Sequence, residues 1–428
     1  MNPQREAGPA IGMFDSLRSV LRFRKLELDP ERRRLNTCAD VGDLRRLAER
    51  RLPAGVFDYI DGGAEDELTL ARNELAYQAF GFRPRVLRDV SAVDPTCMLL
   101  GRPTPLPLVL APTGFTRVAH PSGELAVARA AARLGVPCTL STMGTRSIEE
   151  VADASDSVAW GAEGERRLWF QVYVWKDREL LADMIERSAA AGYEALVVTV
   201  DAPQLGRRER DVRRGMELPP KLGFDTIVDG MLRPSWTWQF LRNDPIMFAN
   251  VTSSSRGGNK PDGTSAVVLS EHLAQQFDPS LSWDDIDWFR SRWDGKLIVK
   301  GVQTTDDAVL CAERGVDAVC LSNHGGRQLD GAPAPIDLVA PCREAVGDSI
   351  EIIADGGVRR GSDMVKALAL GADAVMAGRP YLYALGAAGE LGVDWLLGFF
   401  DDGMRRTMAL CGAATVEDIE PDLVTRLM

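Results

Sequence analysis

Three histidines occur in the 428 residues, and one of them, His324, lies in the stretch CLSNHGGRQLDG just after an apolar run. Three residues on comes Arg327. An imidazole takes up a proton near neutral pH, and a guanidinium offers a planar fork to a carboxylate. A base leaving a strand end beside such a clamp suits removal of a proton from a small organic acid. Taken alone, His324 reads more simply as a polar residue where the chain turns over. Other residues change its company. Asp201 in TVDAPQLGRRERD could orient the ring and stabilise its charged form. Arg208 follows as a second guanidinium, although Arg207, Arg208 and Arg210 also read as a solvated charge run. Lys300 ends the run LIVK and supports two chemistries. It could form a Schiff base, or stand as a fixed cation beside a cofactor that gains negative charge on reduction. His120 lacks comparable company and reads as structural.

These residues need a scaffold that brings distant segments to one place. From residue 106 a unit repeats eight times: a short β-rich apolar run with a polar end, then a helical segment. The runs are LPLVLAPT, VPCTLSTM, LWFQVYV, EALVVTVDA, KLIVKGV, DAVCLSNH, EIIADGG and DAVMAGR. Strands apolar on both faces, alternating with helices, predict an α/β fold, a (β/α)₈ TIM barrel with N-terminal helices. In that architecture chemistry sits at the C-terminal strand ends. There the sequence places Thr113, Ser141, Gln171, Tyr173, Thr199, Asp201, Lys300, Ser322, His324, Asp355 and Arg379. Helix capping competes as an explanation for any one of them, and is weak for the whole ring. Gly356, Gly357 and Gly378, with Arg359 and Arg379, end strands seven and eight, where barrels bind phosphate. A phosphorylated cofactor or substrate is expected.

The remaining features set limits. A formal net charge of -12 disfavours nucleic-acid binding. Seven scattered cysteines, with no CxxC pair, read as reduced thiols, and no metal site is expected. The absence of a transmembrane-length apolar run or a signal-peptide pattern points to a cytoplasmic protein, with peripheral contact on the inner membrane face still open. Residues 1–35 form a basic extension in which Phe14, Leu17, Val20 and Leu21 mix with arginines. It reads as a lipid-touching amphipathic helix or as a solvated segment against a neighbouring subunit. Two helices around a Gly-Gly break follow, the first capped by Asp43 and ended by Pro53. The connection after strand four, about 206–294, is too long for a simple loop and is expected to be a lid or docking insertion. Its aromatic cluster, Trp236, Trp238, Phe240, Met247 and Phe248, fits a lid, a membrane patch or a subunit interface.

With these residues assembled, the chain resembles the FMN-dependent α-hydroxy-acid oxidising family from about residue 36 onward. SNHGGRQLDG matches the family's active-site motif, and FDYIDGGAEDELTL, APTG, FQVYVWKDR, TVDAPQLGRRERD, LIVKGV, DGGVRRGSDMVKALALGA and GRPYLY follow the family's order. The resemblance implies that His324 is the base, supported by Asp201, taking either the proton on C2 or that of the hydroxyl. It implies that Arg208, Arg327 and Tyr59 bind the substrate carboxylate, and that Tyr173 bonds near the substrate hydroxyl. Lys300 would stand by the flavin. Pro112, Thr113, Gly114, Ser141, Gln171 and Thr199 would line its ring. Ser322, Asp355, Gly357, Arg359, Gly378 and Arg379 would hold its ribityl chain and phosphate. Gly114, where oxygen-using members usually carry alanine, together with the insertion and the basic extension, resembles quinone-linked L-lactate dehydrogenases. The expected activity is therefore L-lactate oxidation with electrons passed to quinone or another carrier, in a homotetramer or larger homo-oligomer. An oxygen-using oxidase and an (S)-mandelate dehydrogenase are the alternatives, and a Schiff-base aldolase using Lys300 is a remote one.

Overall fold

The computed structural model describes residues 27–161, 166–215, 224–252 and 276–427. Eight parallel strands close into a barrel: β1 (Leu108–Leu110), β2 (Cys138–Ser141), β3 (Leu168–Tyr173), β4 (Ala195–Thr199), β5 (Lys296–Val302), β6 (Ala318–Leu321), β7 (Glu351–Asp355) and β8 (Ala374–Ala377). Each falls within one of the eight apolar runs. The strands β1, β2, β4, β6 and β8 are buried at every position, as expected of strands covered by helices outside and packed side chains inside. The barrel interior is filled by Val109, Trp169, Val197, Ile298, Cys320, Ile353, Met376 and their neighbours.

The N-terminal end of the barrel is plugged by a hairpin, Cys97–Leu99 paired antiparallel with Arg102–Thr104. Leu99 and Leu100 enter the interior cluster. Leu100 N–H donates to both oxygens of Glu351, at 2.8 and 2.9 Å. Beneath β3 and β4, Arg167 forms a two-pronged pair with Glu194, at 2.7 and 3.0 Å, and donates to the Leu99 and Pro103 carbonyls.

The helices preceding the barrel cover its opposite rim. The first after the extension begins at Val41 with Asp40 as its cap; Asp43, expected in that role, sits inside the first turn and accepts from Ala39 N–H. The helix ends at Arg51, just before Pro53. Residues 30–35, assigned to the extension, form a short helix against the long C-terminal helix Arg379–Cys411. That helix kinks at Ala388–Gly389, and Arg34 and Arg51 donate to the carbonyls of Ala387 and Gly386 just before the kink. The basic amphipathic stretch before residue 27 lies outside the described residues.

The connection between β4 and β5 contains helices Glu209–Arg214, Phe224–Met231, Pro234–Arg242 and Trp283–Arg290, with residues 216–223 and 253–275 outside the description. Trp283–Arg290 buries Ile286 and Phe289 immediately before β5, so it serves as the ordinary crossover helix and the inserted part ends before it. The aromatic cluster divides. Phe248 is buried, Trp236 stacks on Phe240 and donates to the Val118 carbonyl, and Trp238 points outward beneath Arg242.

Candidate active site

A cavity opens at the C-terminal strand ends, and its wall includes Tyr59, Pro112, Thr113, Gly114, Gln171, Tyr173, Thr199, Arg208, Lys300, His324, Arg327, Asp355, Gly357, Arg359, Gly378 and Arg379. Three expected residues stand one layer behind. Ser141 donates to Gln171 Oε1 at 2.8 Å, fixing that amide. Ser322 accepts from Lys300 Nζ at 3.0 Å and from His324 N–H at 3.0 Å, and donates to Asp355 Oδ2 at 2.7 Å. Asp201 is buried behind the imidazole, with Oδ1 2.9 Å from His324 Nδ1.

That contact settles which ring nitrogen faces the cavity. Nδ1 bonds the carboxylate, so Nε2 is left toward Tyr173 Oη at 3.5 Å. Burial works to raise the Asp201 carboxyl, but His324 and Lys300 outweigh it and hold the group below the ordinary range. It is therefore a full negative charge ready for an imidazolium. The loop is held open around His324, whose φ of 58° is left-handed and costs about 1–2 kcal/mol for a non-glycine residue. Glycine at 325, also left-handed, leaves room for Arg379: a Cβ there would lie 2.6 Å from its guanidinium.

Positive charge is concentrated here, and only part of it is compensated: Lys300, Arg208 and Arg359 have carboxylate partners. Burial opposes the Lys300 charge, yet Asp355, 3.0 Å away, and Asp201 outweigh burial and raise its pKa. Arg327 donates to the carbonyls of Tyr59 and Gly62, and Arg379 to those of Ile60, Gly62 and Gly325. Neither has a carboxylate partner among the described residues. Burial, with Arg208 nearby, pushes Arg327 down to about 9. A guanidinium keeps its proton in proteins, so this depression expresses an unneutralised charge that an anion would relieve. Arg208 is paired with Asp211 at 2.6 Å, and both Arg208 and Arg327 lie over the Tyr59 ring.

The wall between these cations suits a phosphorylated, heteroaromatic cofactor. Gln171 Nε2 and Thr199 Oγ1 are buried without a hydrogen-bond partner among the described residues, as expected of groups awaiting a polar ring edge. Gly357, at φ 83°, lies so close to Asn73 that a Cβ would sit 2.0 Å from its carbonyl oxygen. Asn73 and Asn323 exchange side-chain bonds at 2.8 and 2.7 Å and lock this edge to the His324 loop. The sequence reading did not single out Asn73, Asn323, Phe115, Leu205 or Phe277, which belong to no strand-end pattern or lie among loop residues. Asn323, inside the quoted motif, was the most accessible of them.

Comparison with known proteins decides the family. The family described as FMN-dependent dehydrogenase matches residues 48–426. The chain belongs to this family. It is 43% identical to an L-lactate dehydrogenase of Caulobacter vibrioides, over 89% of this chain and 96% of the relative. It is 41% identical to an L-lactate oxidase of Nostoc sp., over 90% of this chain and 98% of that protein. Among solved structures, the monotopic membrane protein (S)-mandelate dehydrogenase superposes with a TM-score of 0.84 at 38% identity, covering 91% of this chain and 100% of that one. The cofactor of this family member is FMN, and the orphaned amide, the glycine cradle and the unneutralised arginines fit it.

Proposed function

We propose that the protein oxidises L-lactate, or a close L-2-hydroxy acid, to the 2-oxo acid and passes the electrons to a membrane quinone. The observation that carries the chemistry is the alignment of Asp201, His324 Nδ1 and a His324 Nε2 turned toward Tyr173, beside Arg327, a half-buried cation lacking a carboxylate partner among the described residues. In this reading Arg327 and Arg208 bind the substrate carboxylate, with Tyr59 beneath them. His324 Nε2 takes a proton from the substrate, and Asp201 stabilises the resulting imidazolium. Tyr173 stays protonated, because burial and then Asp201 raise its phenol, so it can donate to the substrate oxygen. Bound FMN supplies the two-electron acceptor. Gln171 and Thr199 offer hydrogen-bonding groups to its ring, Lys300 a fixed positive charge, and Arg359 and Arg379 charge for its phosphate. The Lys300–Asp355 ion pair argues against the Schiff-base alternative, since an amine whose pKa is raised is a poor nucleophile.

Two observations support quinone as acceptor. Glycine stands at 114, and a Cβ there would lie 2.9 Å from Met143 Cβ, so the alanine expected of an oxygen user would require Met143 to shift. The insertion also presents Met231, Leu232, Trp238 and Leu241 to solvent, beside Arg233 and Arg242, a composition suited to an anionic lipid surface. No helix among the described residues is long and apolar enough to cross a membrane. The test is anaerobic flavin bleaching by a panel of L-2-hydroxy acids, followed by reoxidation with oxygen or with liposomes containing quinone. Bleaching by L-lactate and faster reoxidation by the liposomes is expected. A flavin that L-2-hydroxy acids leave oxidised refutes the activity, and faster reoxidation by oxygen refutes the acceptor.

A further inference from the structure

Part of the cavity wall is apolar: Phe115, Met143, Leu205 and Phe277 all reach it. Two of these are placed by the two limbs of the insertion. On the outgoing limb, buried Phe248 packs edge-on against Phe115 with ring centres 4.6 Å apart, and Phe115 in turn meets Tyr59 at 6.0 Å. On the returning limb, Phe277 meets Tyr173 edge-on at 5.1 Å. Tyr173 is the residue whose hydroxyl lies 3.5 Å from His324 Nε2. The Phe277 ring thus stands one side chain away from the base.

Its backbone is held independently of the ring. Residues 276–278 add antiparallel to the continuation of β3, with Phe277 opposite Trp175, Lys176 N–H donating to the Gln276 carbonyl at 2.8 Å and Asp278 N–H to the Val174 carbonyl at 3.2 Å. Arg178 adds an ion pair to Asp278 at 3.1 Å. A strap fixed in this way presents one ring at a defined depth, and shortening that ring leaves the strap in place.

From this arrangement we infer that Phe277 is a specificity-determining residue: it closes the part of the pocket that receives the substrate's carbon side chain, limiting its length and requiring it to be apolar. The inference rests on the functional reading above and adds the class of acid admitted, monocarboxylic L-2-hydroxy acids with a short aliphatic side chain. A second carboxylate pointing at this wall would be desolvated without a cation among Phe115, Met143, Leu205 and Phe277. A bulkier group would have to displace the Phe277 ring from its edge-on contact with Tyr173.

The test uses the flavin-loaded full-length protein and its Phe277→Ala and Phe277→Leu variants. Rates of anaerobic flavin reduction are measured with L-lactate, L-2-hydroxyisocaproate, (S)-mandelate and L-malate. Phe277→Ala is expected to raise the mandelate-to-lactate ratio of kcat/KM by about tenfold or more, the scale at which pocket size discriminates. Phe277→Leu should move it in the same direction by about threefold, and carries the test if the alanine variant fails to fold or to hold flavin. Unchanged ratios in a flavin-loaded variant overturn the assignment, and rapid reduction of the wild type by L-malate overturns the apolar requirement. A wild-type flavin that none of the four acids reduces instead overturns the functional reading beneath it.

Discussion

At the N-terminal end of the barrel, Arg167 is sealed against Glu194, and its remaining N–H groups go to the plug hairpin. At the C-terminal end, Arg327 and Arg379 are half-buried where they line the cavity, and they meet only backbone carbonyls among the described residues. The side-chain type is the same; Arg167 is buried while the upper two open onto the cavity, and only Arg167 has a counter-charge. A buried ion pair holds its own elements together and has little left for a ligand. A half-buried guanidinium held by carbonyls is positioned but not neutralised, so it retains its attraction for a carboxylate or phosphate. The two ends divide the labour, stability below and chemistry above.

The largest effect that would break this division lies at the top. His324→Ala leaves the barrel and the cations intact and removes the base, so turnover should fall by about 100- to 10,000-fold with flavin still bound. A rate within about tenfold of wild type, measured by stopped-flow flavin reduction, would remove His324 from the chemistry. Next comes a crossed pair of substitutions. Arg167→Met strands the buried Glu194 with only the longer contact to Arg102, at 3.2 Å. It should cost about 3–5 kcal/mol in denaturant unfolding while leaving KM alone. Arg327→Met removes a charge that nothing neutralises. It should change stability by less than about 0.5 kcal/mol and raise KM by about thirtyfold or more. If Arg327→Met destabilised as much as Arg167→Met, the contrast between the two ends would collapse.

The same contrast explains what could be read in advance. Strands covered on both faces announce themselves as short apolar runs, and the polar residue ending each run has few structural reasons to be there. The barrel and most of the cavity wall were therefore legible in the sequence. Ser141 and Ser322 look like Gln171 and Asp355 in that pattern. Only side-chain direction separates a residue facing the cavity from one bonded behind it, and direction at a strand end depends on neighbouring loops. Phe277 and Asn73 were illegible for another reason. One comes from the returning limb of an insertion and the other from a helix before the barrel, so no strand register points to them. The insertion's aromatics have similar composition, yet Phe248 packs under Phe115 while Trp238 faces outward, a distinction set by tertiary docking.

A smaller effect sharpens the comparison, because one charge at the catalytic end is as well paired as those below. Asp61 is buried and accepts from Arg45 at 2.6 and 2.7 Å, from Arg210 at 2.9 Å and from the Tyr383 hydroxyl at 2.7 Å. It adjoins Tyr59, Ile60 and Gly62, whose carbonyls hold the two cavity arginines, so it anchors the cradle rather than the ligand. Burial alone would raise this carboxyl, but Arg45, Tyr383 and Arg210 together lower it to about 2. A folded-state pKa below the unfolded one gives stability that is present above the unfolded value, about 3.9, and is lost as pH falls through the folded value. The contribution is about 2 kcal/mol at neutral pH. Asp61→Asn should therefore be less stable than wild type by about that amount at pH 6, and the gap should shrink by about half at pH 3. A gap that stays constant between those pH values would mean that the carboxylate charge contributes nothing. Pairing would then cease to distinguish the residues that build this rim from the arginines that wait in it.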